Sequence, residues 1–126
     1  MKAPWRWAAA LLYAAGIFAL SSISRVPRLQ SEVYGVDKLA HALLYFFFAA
    51  VLWRALSNSA TRHGVLVAAI IAALYGVTDE IHQHFVPGRT MSFFDWTADA
   101  AGAVLWGVYL RYARRRATPR PRRPVP

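Results

Sequence analysis

Residues 75–99 hold four carboxylates, two histidines and an arginine between two strongly apolar stretches. Asp79, Glu80, His82, His84, Arg89, Asp95 and Asp99 fall at or just inside the ends of apolar segments, where ionisable side chains are costly and usually functional. Three chemistries fit them. Carboxylates beside histidine suit general acid and base work, which makes Glu80 with His41 or His82 the catalytic candidates. Asp37/His41, Glu80/His84 and Asp95/Asp99 each set two oxygen or imidazole donors one helical turn apart, a spacing that can chelate a divalent metal. Arg89 with Thr90 and Ser92 offers a guanidinium fork and hydroxyls to a phosphate or carboxylate. Against them stands an internal ion-pair and hydrogen-bond network that only fixes helix register, with Arg89 or Lys38 as counterions for groups such as Asp37 and Asp99, and for Arg89 a simple ion pair with Asp95 or Glu80. No cofactor is assigned by these patterns, and the three chemistries and the network all stay open.

The chain that must position these groups is short and greasy. It has 126 residues, 57% hydrophobic and 17% charged, too apolar for an ordinary soluble domain of this size. Its formal charge is +9, yet seven of its fifteen basic residues are arginines between positions 111 and 123. The other eight face six acidic residues, so the basicity belongs to the tail, and a nearby bilayer explains it without nucleic acid. Cysteine is absent, which excludes disulfides, thiolate metal sites and cysteine nucleophiles.

Four helical segments are expected. Residues 1–23 place Lys2 and Arg6 before an uncharged run with Trp5, Trp7 and Tyr13 near its start, the pattern of a first membrane helix with an interfacial belt. A cleaved signal peptide competes, because Ala19-Leu20-Ser21 loosely resembles a cleavage site. Residues 24–36, with Pro27 and Gly35, read as a loop. The second segment, 37–56, repeats Asp37, His41 and Tyr45 every four residues and so stacks them on one face. A polar connection at 57–63 contains His63, read as a surface histidine. The third, 64–83, carries Tyr75, Thr78, Asp79 and His82 along one side and Gly76, Glu80 and Gln83 or His84 along the next. Val86-Pro87-Gly88-Arg89 reads as a turn. The fourth, 95–112, aligns Asp95, Asp99, Gly102 and Trp106, with Gly102 suited to close helix approach. The expected architecture is an all-α, integral membrane bundle of four transmembrane helices over residues 1–112, followed by a disordered polybasic cytoplasmic tail at 113–126.

Charge asymmetry sets the expected orientation. With both termini cytoplasmic, eleven basic residues lie inside and four, Arg25, Arg28, Lys38 and Arg89, outside. All six acidic residues, Glu32 included, then fall toward the outer half with His41, His82 and His84. A polar pocket opening outward between the second, third and fourth helices is expected.

Three separated motifs carry a family resemblance. Asp37-Lys38-Leu39-Ala40-His41 with Tyr45, the run from Asp79 and Glu80 through His82, Gln83, Pro87, Gly88 and Arg89 to Thr90, and Ser92-Phe93-Phe94-Asp95 with Gly102 resemble the VanZ-like membrane proteins, whose namesake is linked to teicoplanin resistance in bacteria. The resemblance spans residues 37–107 and departs at Asp99, where the family more often has asparagine. It implies a multi-pass helical protein of the bacterial inner membrane. With the helical faces above, it marks Asp37, His41, Tyr45, Asp79, Glu80, Gln83, Arg89, Ser92, Asp95 and Asp99 as candidate ligand-binding residues. The expected function is binding of an anionic envelope lipid, wall precursor or lipophilic glycopeptide antibiotic at the outer leaflet. The alternatives are a membrane-embedded acid/base or metal-dependent hydrolase or transferase acting on a lipid-linked substrate, and a structural scaffold. Expected partners are membrane lipids and such a ligand, with lateral self-association and no nucleic acid.

Overall fold

The computed structural model describes residues 4–24, 35–56 and 62–117. Four helices follow one another, α1 (Pro4–Ser21), α2 (Val36–Leu56), α3 (Arg62–His84) and α4 (Phe93–Ala117), with no strand among the described residues. The architecture is all-α, as expected. Pro4 opens α1 at a position where a proline's missing N–H costs nothing. The expectations for residues 1–3, which include Lys2, for residues 25–34, which include Arg25, Arg28 and Glu32, and for residues 57–61 and 118–126 lie outside the described residues. α4 runs to Ala117, five residues beyond the expected end at Tyr112. Alanine and arginine are good helix formers, and they carry the helix through Arg114–Arg116.

Large apolar side chains point outward and small ones inward. Leu11, Leu12 and Phe18 on α1, Leu43 and Phe47 on α2, Leu66, Ile70 and Leu74 on α3, and Val104, Leu105 and Val108 on α4 are all exposed. The buried cluster instead contains six alanines, Ala10, Ala49, Ala55, Ala68, Ala72 and Ala103, around Ile17, Tyr45, Phe48 and Leu52. Small residues let helix backbones approach where van der Waals contact, rather than escape from water, must hold helices together. Two helices, Val36–Leu56 and His63–His84, are long and apolar enough to cross a membrane, and only 33% and 28% of the residues in those stretches are buried. A core helix of a soluble protein would bury most of its surface. By the same measure α1 and α4 fall short. α1 carries Pro4, Trp5, Arg6 and Trp7 at one end, and α4 holds two aspartates and ends in arginines.

Hydrogen bonds and close backbone contacts set the helix positions. The Tyr13 hydroxyl donates to the Leu44 carbonyl at 3.0 Å, the Tyr75 hydroxyl to Ala14 at 2.7 Å, and the Trp96 indole N–H to Ala73 at 3.0 Å. These tie α1 to α2, α3 to α1 and α4 to α3. Interhelical bonds of this kind in membranes average about 0.6 kcal/mol each. α2 and α4 are in backbone contact at Gly102, where a Cβ would lie 2.0 Å from the Ala42 carbonyl oxygen. The expected close approach at Gly102 is present. Successive helices run antiparallel, which puts Ser21, Asp37, Asp79 and Asp95 at one end of the bundle. Arg114 lies over the Trp53 ring, 5.7 Å from its centroid, at the other.

Gly102→Ala forces α2 and α4 apart because the atom it meets is backbone. The expected cost is about 1–3 kcal/mol, as for other overpacked cores, read as a lower thermal midpoint in detergent. Gly16→Ala, which meets nothing within 4 Å, is the control. Equal midpoints for the two variants would contradict the α2–α4 contact.

Candidate functional site

The turn after α3 brings the chain back onto the site. Val86 N–H donates to the Gln83 carbonyl at 3.0 Å and Arg89 N–H to the Val86 carbonyl at 3.1 Å, while Gly88 takes the positive φ of 75° that the reversal needs. The reversal lays the Arg89 guanidinium on Gln83, with Nε and Nη2 donating to Oε1 at 3.0 and 2.6 Å. Gln83 passes the contact on. Its amide nitrogen donates to Asp79 Oδ2 at 3.1 Å and reaches Glu80 Oε1 at 3.5 Å. Asp79 also accepts from the Ser21 hydroxyl at the end of α1, which sits 2.8 Å from the Ile17 carbonyl as well.

Glu80 faces α4 instead. Its Oε2 accepts the Ser92 N–H at 2.7 Å, while the Ser92 hydroxyl accepts the Asp95 N–H at 3.2 Å. Ser92 therefore caps the amino end of α4, and an α3 carboxylate satisfies the cap's own backbone N–H. From α2, His41 Nδ1 meets Asp99 Oδ1 at 2.9 Å, with Asp99 fully buried. Lys38 bridges Asp37, at 3.3 Å, and Asp95. One ligand atom each from His41, Glu80 and Asp99 lies within 4.8 Å of the others, and the same holds for Asp37, His41 and Asp95. His41 belongs to both trios.

Beside this network lies an open cavity of about 400 Å³. Its apolar wall is Ile17, Leu20, Ile23 and Leu44, and its polar wall is Asp37, His41, Asp79, Gln83 and Arg89. The cavity thus lies between α1, α2, α3 and the Arg89 turn. The expectation of a pocket between the second, third and fourth helices was half right, since α4 supplies Asp95 and Asp99 to the network behind His41 and α1 supplies the open wall. Ser21, passed over as a part of the site, ends α1 buried against Asp79. A hydroxyl pair, Ser21-Ser22, closing an otherwise apolar run was the signal for it.

Other expected site residues divide. Asp37, His41, Asp79, Glu80, Gln83, Arg89, Asp95 and Asp99 converge. Tyr45 is fully buried one turn beyond His41, with its hydroxyl unpartnered among the described residues. His82 turns toward α1, 2.9 Å from the Ser22 hydroxyl and stacked on Phe18 at 4.2 Å between ring centroids. Of the two histidines considered beside Glu80, His41 is the one in its trio. His84 is exposed beside Phe85, so the Glu80/His84 chelate does not form. Asp95 and Asp99 enter different trios rather than one chelate. The Ser92 hydroxyl is committed to its cap. Of the two counterions considered, Lys38 pairs with Asp37 and Asp95, and Arg89 donates to the neutral Gln83. His63 is exposed at the start of α3, at the opposite end.

Gln83→Leu keeps the volume and removes both the amide that Asp79 uses and the carbonyl that Arg89 uses. A loss of about 1–3 kcal/mol is expected for the buried polar groups it strands, measured by unfolding in detergent. An unchanged stability would contradict the Arg89–Gln83–Asp79 relay.

Among curated proteins and among solved structures, no match was found. A family model, VanZ/LLP1, matches residues 3–114. That range takes in all three motifs and also α1, so the first helix is part of the family's domain. Together with two helices apolar enough to cross a membrane, the match supports a membrane protein. On residues 3–114, this chain belongs to the VanZ/LLP1 family.

Proposed function

We propose that this protein crosses the bacterial inner membrane four times, with both termini cytoplasmic, and binds the anionic headgroup of an envelope lipid or lipid-linked wall precursor from the outer leaflet. Two features support the four spans. Exposed large apolar residues cover α1 and α4 as they do α2 and α3, and basic residues crowd the end opposite the site, with Arg6 on α1 and Arg114–Arg116 on α4. Helices of 18 and 25 residues reach about 27 and 38 Å at 1.5 Å per residue, against a hydrocarbon core of about 30 Å. The first is short, and Trp5 and Trp7 suit its end to the interface.

The observation that carries the ligand reading is the two-sided cavity. Ile17, Leu20, Ile23 and Leu44 offer an acyl or prenyl chain a wall, and Arg89 stands over its polar side with Gln83 holding the guanidinium in place. A guanidinium fixed by its neighbour is pre-organised for a phosphate fork. A lipophilic glycopeptide antibiotic, which also joins an apolar chain to polar and charged groups, is the other ligand class that suits this wall.

One specific contact favours a second reading, a hydrolase or transferase for a lipid-linked substrate. Asp99 orients the His41 imidazole at 2.9 Å, and Glu80 lies in the same trio, an arrangement able to take and return a proton. Under this reading Glu80→Gln abolishes turnover of a lipid-linked phosphate while binding survives.

The binding reading is tested by titrating the protein in nanodiscs with undecaprenyl phosphate, lipid II and teicoplanin. Wild type is expected to saturate with at least one of them, and Arg89→Ala to bind it at least about tenfold more weakly, the size of one charge-assisted contact. Equal binding by the two proteins to every ligand would refute it.

A further inference from the structure

The inner trio, His41, Glu80 and Asp99, has a donor set that its protein contacts do not use up. Asp99 is fully buried, and its Oδ2 has no hydrogen-bond partner among the described residues. That oxygen lies against the bare backbone of Gly76, 3.1 Å from where a Cβ would stand and one helical turn before Glu80. Tyr45 is likewise fully buried and unpartnered at its hydroxyl, one turn along α2 from His41 and within electrostatic range of Asp79, Glu80 and Asp99. Two orphaned oxygens in a fully buried spot are expensive for an apolar bundle. They sit beside three groups whose ligand atoms already lie within 4.8 Å of one another.

The charge balance points the same way. The outer carboxylates, Asp37 and Asp95, share the Lys38 ammonium. The contacts of the inner pair are with His41 and with neutral donors, the Ser92 N–H and the Gln83 amide. Two carboxylates held this close in a low-dielectric setting favour a bound cation between them.

We infer that His41, Glu80 and Asp99 form a site for one divalent cation, with the Tyr45 hydroxyl placed beside it. One imidazole and two carboxylates suit zinc or manganese better than an all-oxygen cation such as calcium. The outer trio is not that site, because Lys38 already occupies its carboxylates. The inference goes beyond the headgroup reading and does not depend on it.

The test uses the full chain in phosphatidylcholine nanodiscs, stripped with a chelator and titrated with MnCl2 by electron paramagnetic resonance and with ZnCl2 by calorimetry. Saturable uptake of one ion per chain is expected for at least one metal, with a rise in the thermal midpoint. Glu80→Gln and Asp99→Asn are each expected to weaken uptake at least tenfold, whereas His63→Ala, exposed at the opposite end of the bundle, leaves it unchanged. No saturable uptake by the wild-type protein overturns the site whatever the variants do. Uptake that survives both inner substitutions, or that His63→Ala removes, overturns it too. No anionic lipid is present, so a negative result leaves the Arg89 reading standing.

Discussion

Ionisable groups placed among apolar helices must satisfy one another, and the hydrogen bond between His41 and Asp99 is where this constraint is met. It joins α2 to α4 at the level where Gly102 lets the two backbones touch. It also decides the organisation of the other polar groups, since His41 faces Asp37 and Asp95 on one side and Glu80 and Asp99 on the other. Without glycine at position 102 the backbones of α2 and α4 would be forced apart, and the Asp99 carboxylate would lose its reach to His41. Packing and electrostatics are thus one problem here: the close contact exists to bring the charges together, and the paired charges make it tolerable to bury them.

The cavity follows from the same arrangement. Because α4 fills the space behind His41, the open side falls to α1, and Ser21 anchors the end of that helix to Asp79. The Pro87-Gly88 turn then returns Arg89 to the rim through Gln83. An apolar wall, a positioned guanidinium and a buried cluster of carboxylates and imidazole meet in one place. This combination suits an amphiphile with an anionic head, and the inner trio would give such a site a second positive centre when it holds a cation.

Much of this was legible in the sequence, and the failures share a cause. Apolar run lengths located all four helices, because residue character alone sets where a helix can lie in an apolar medium. The four-residue spacing of Asp37, His41 and Tyr45 put them on one face correctly. Periodicity names a face but not the neighbour that covers it. Asp79 and His82 were therefore assigned to one stripe without any sign that this stripe meets α1, and the choice between Gln83 and His84 stayed open until the chain was folded. The Ser92-Phe93-Phe94-Asp95 run also carries a helix-capping pattern, which the reading of Ser92 as an anion-site hydroxyl and of the run as a family motif leaves out. Ser21 drew notice as part of a cleavage signal rather than as a buried donor. The hydroxyl pair Ser21-Ser22 marks a polar end to the apolar run, but that its partner is Asp79, 58 residues away, leaves no local trace.

A double-mutant cycle on His41 and Asp99 tests the convergence of these helices most directly. Stability in detergent would be measured for His41→Ala, Asp99→Ala and the double variant. Groups in direct contact couple by about 0.5–3 kcal/mol, and a coupling in that range is the expected result. Additive losses would mean that the two side chains do not meet, and the shared chamber with them would be wrong.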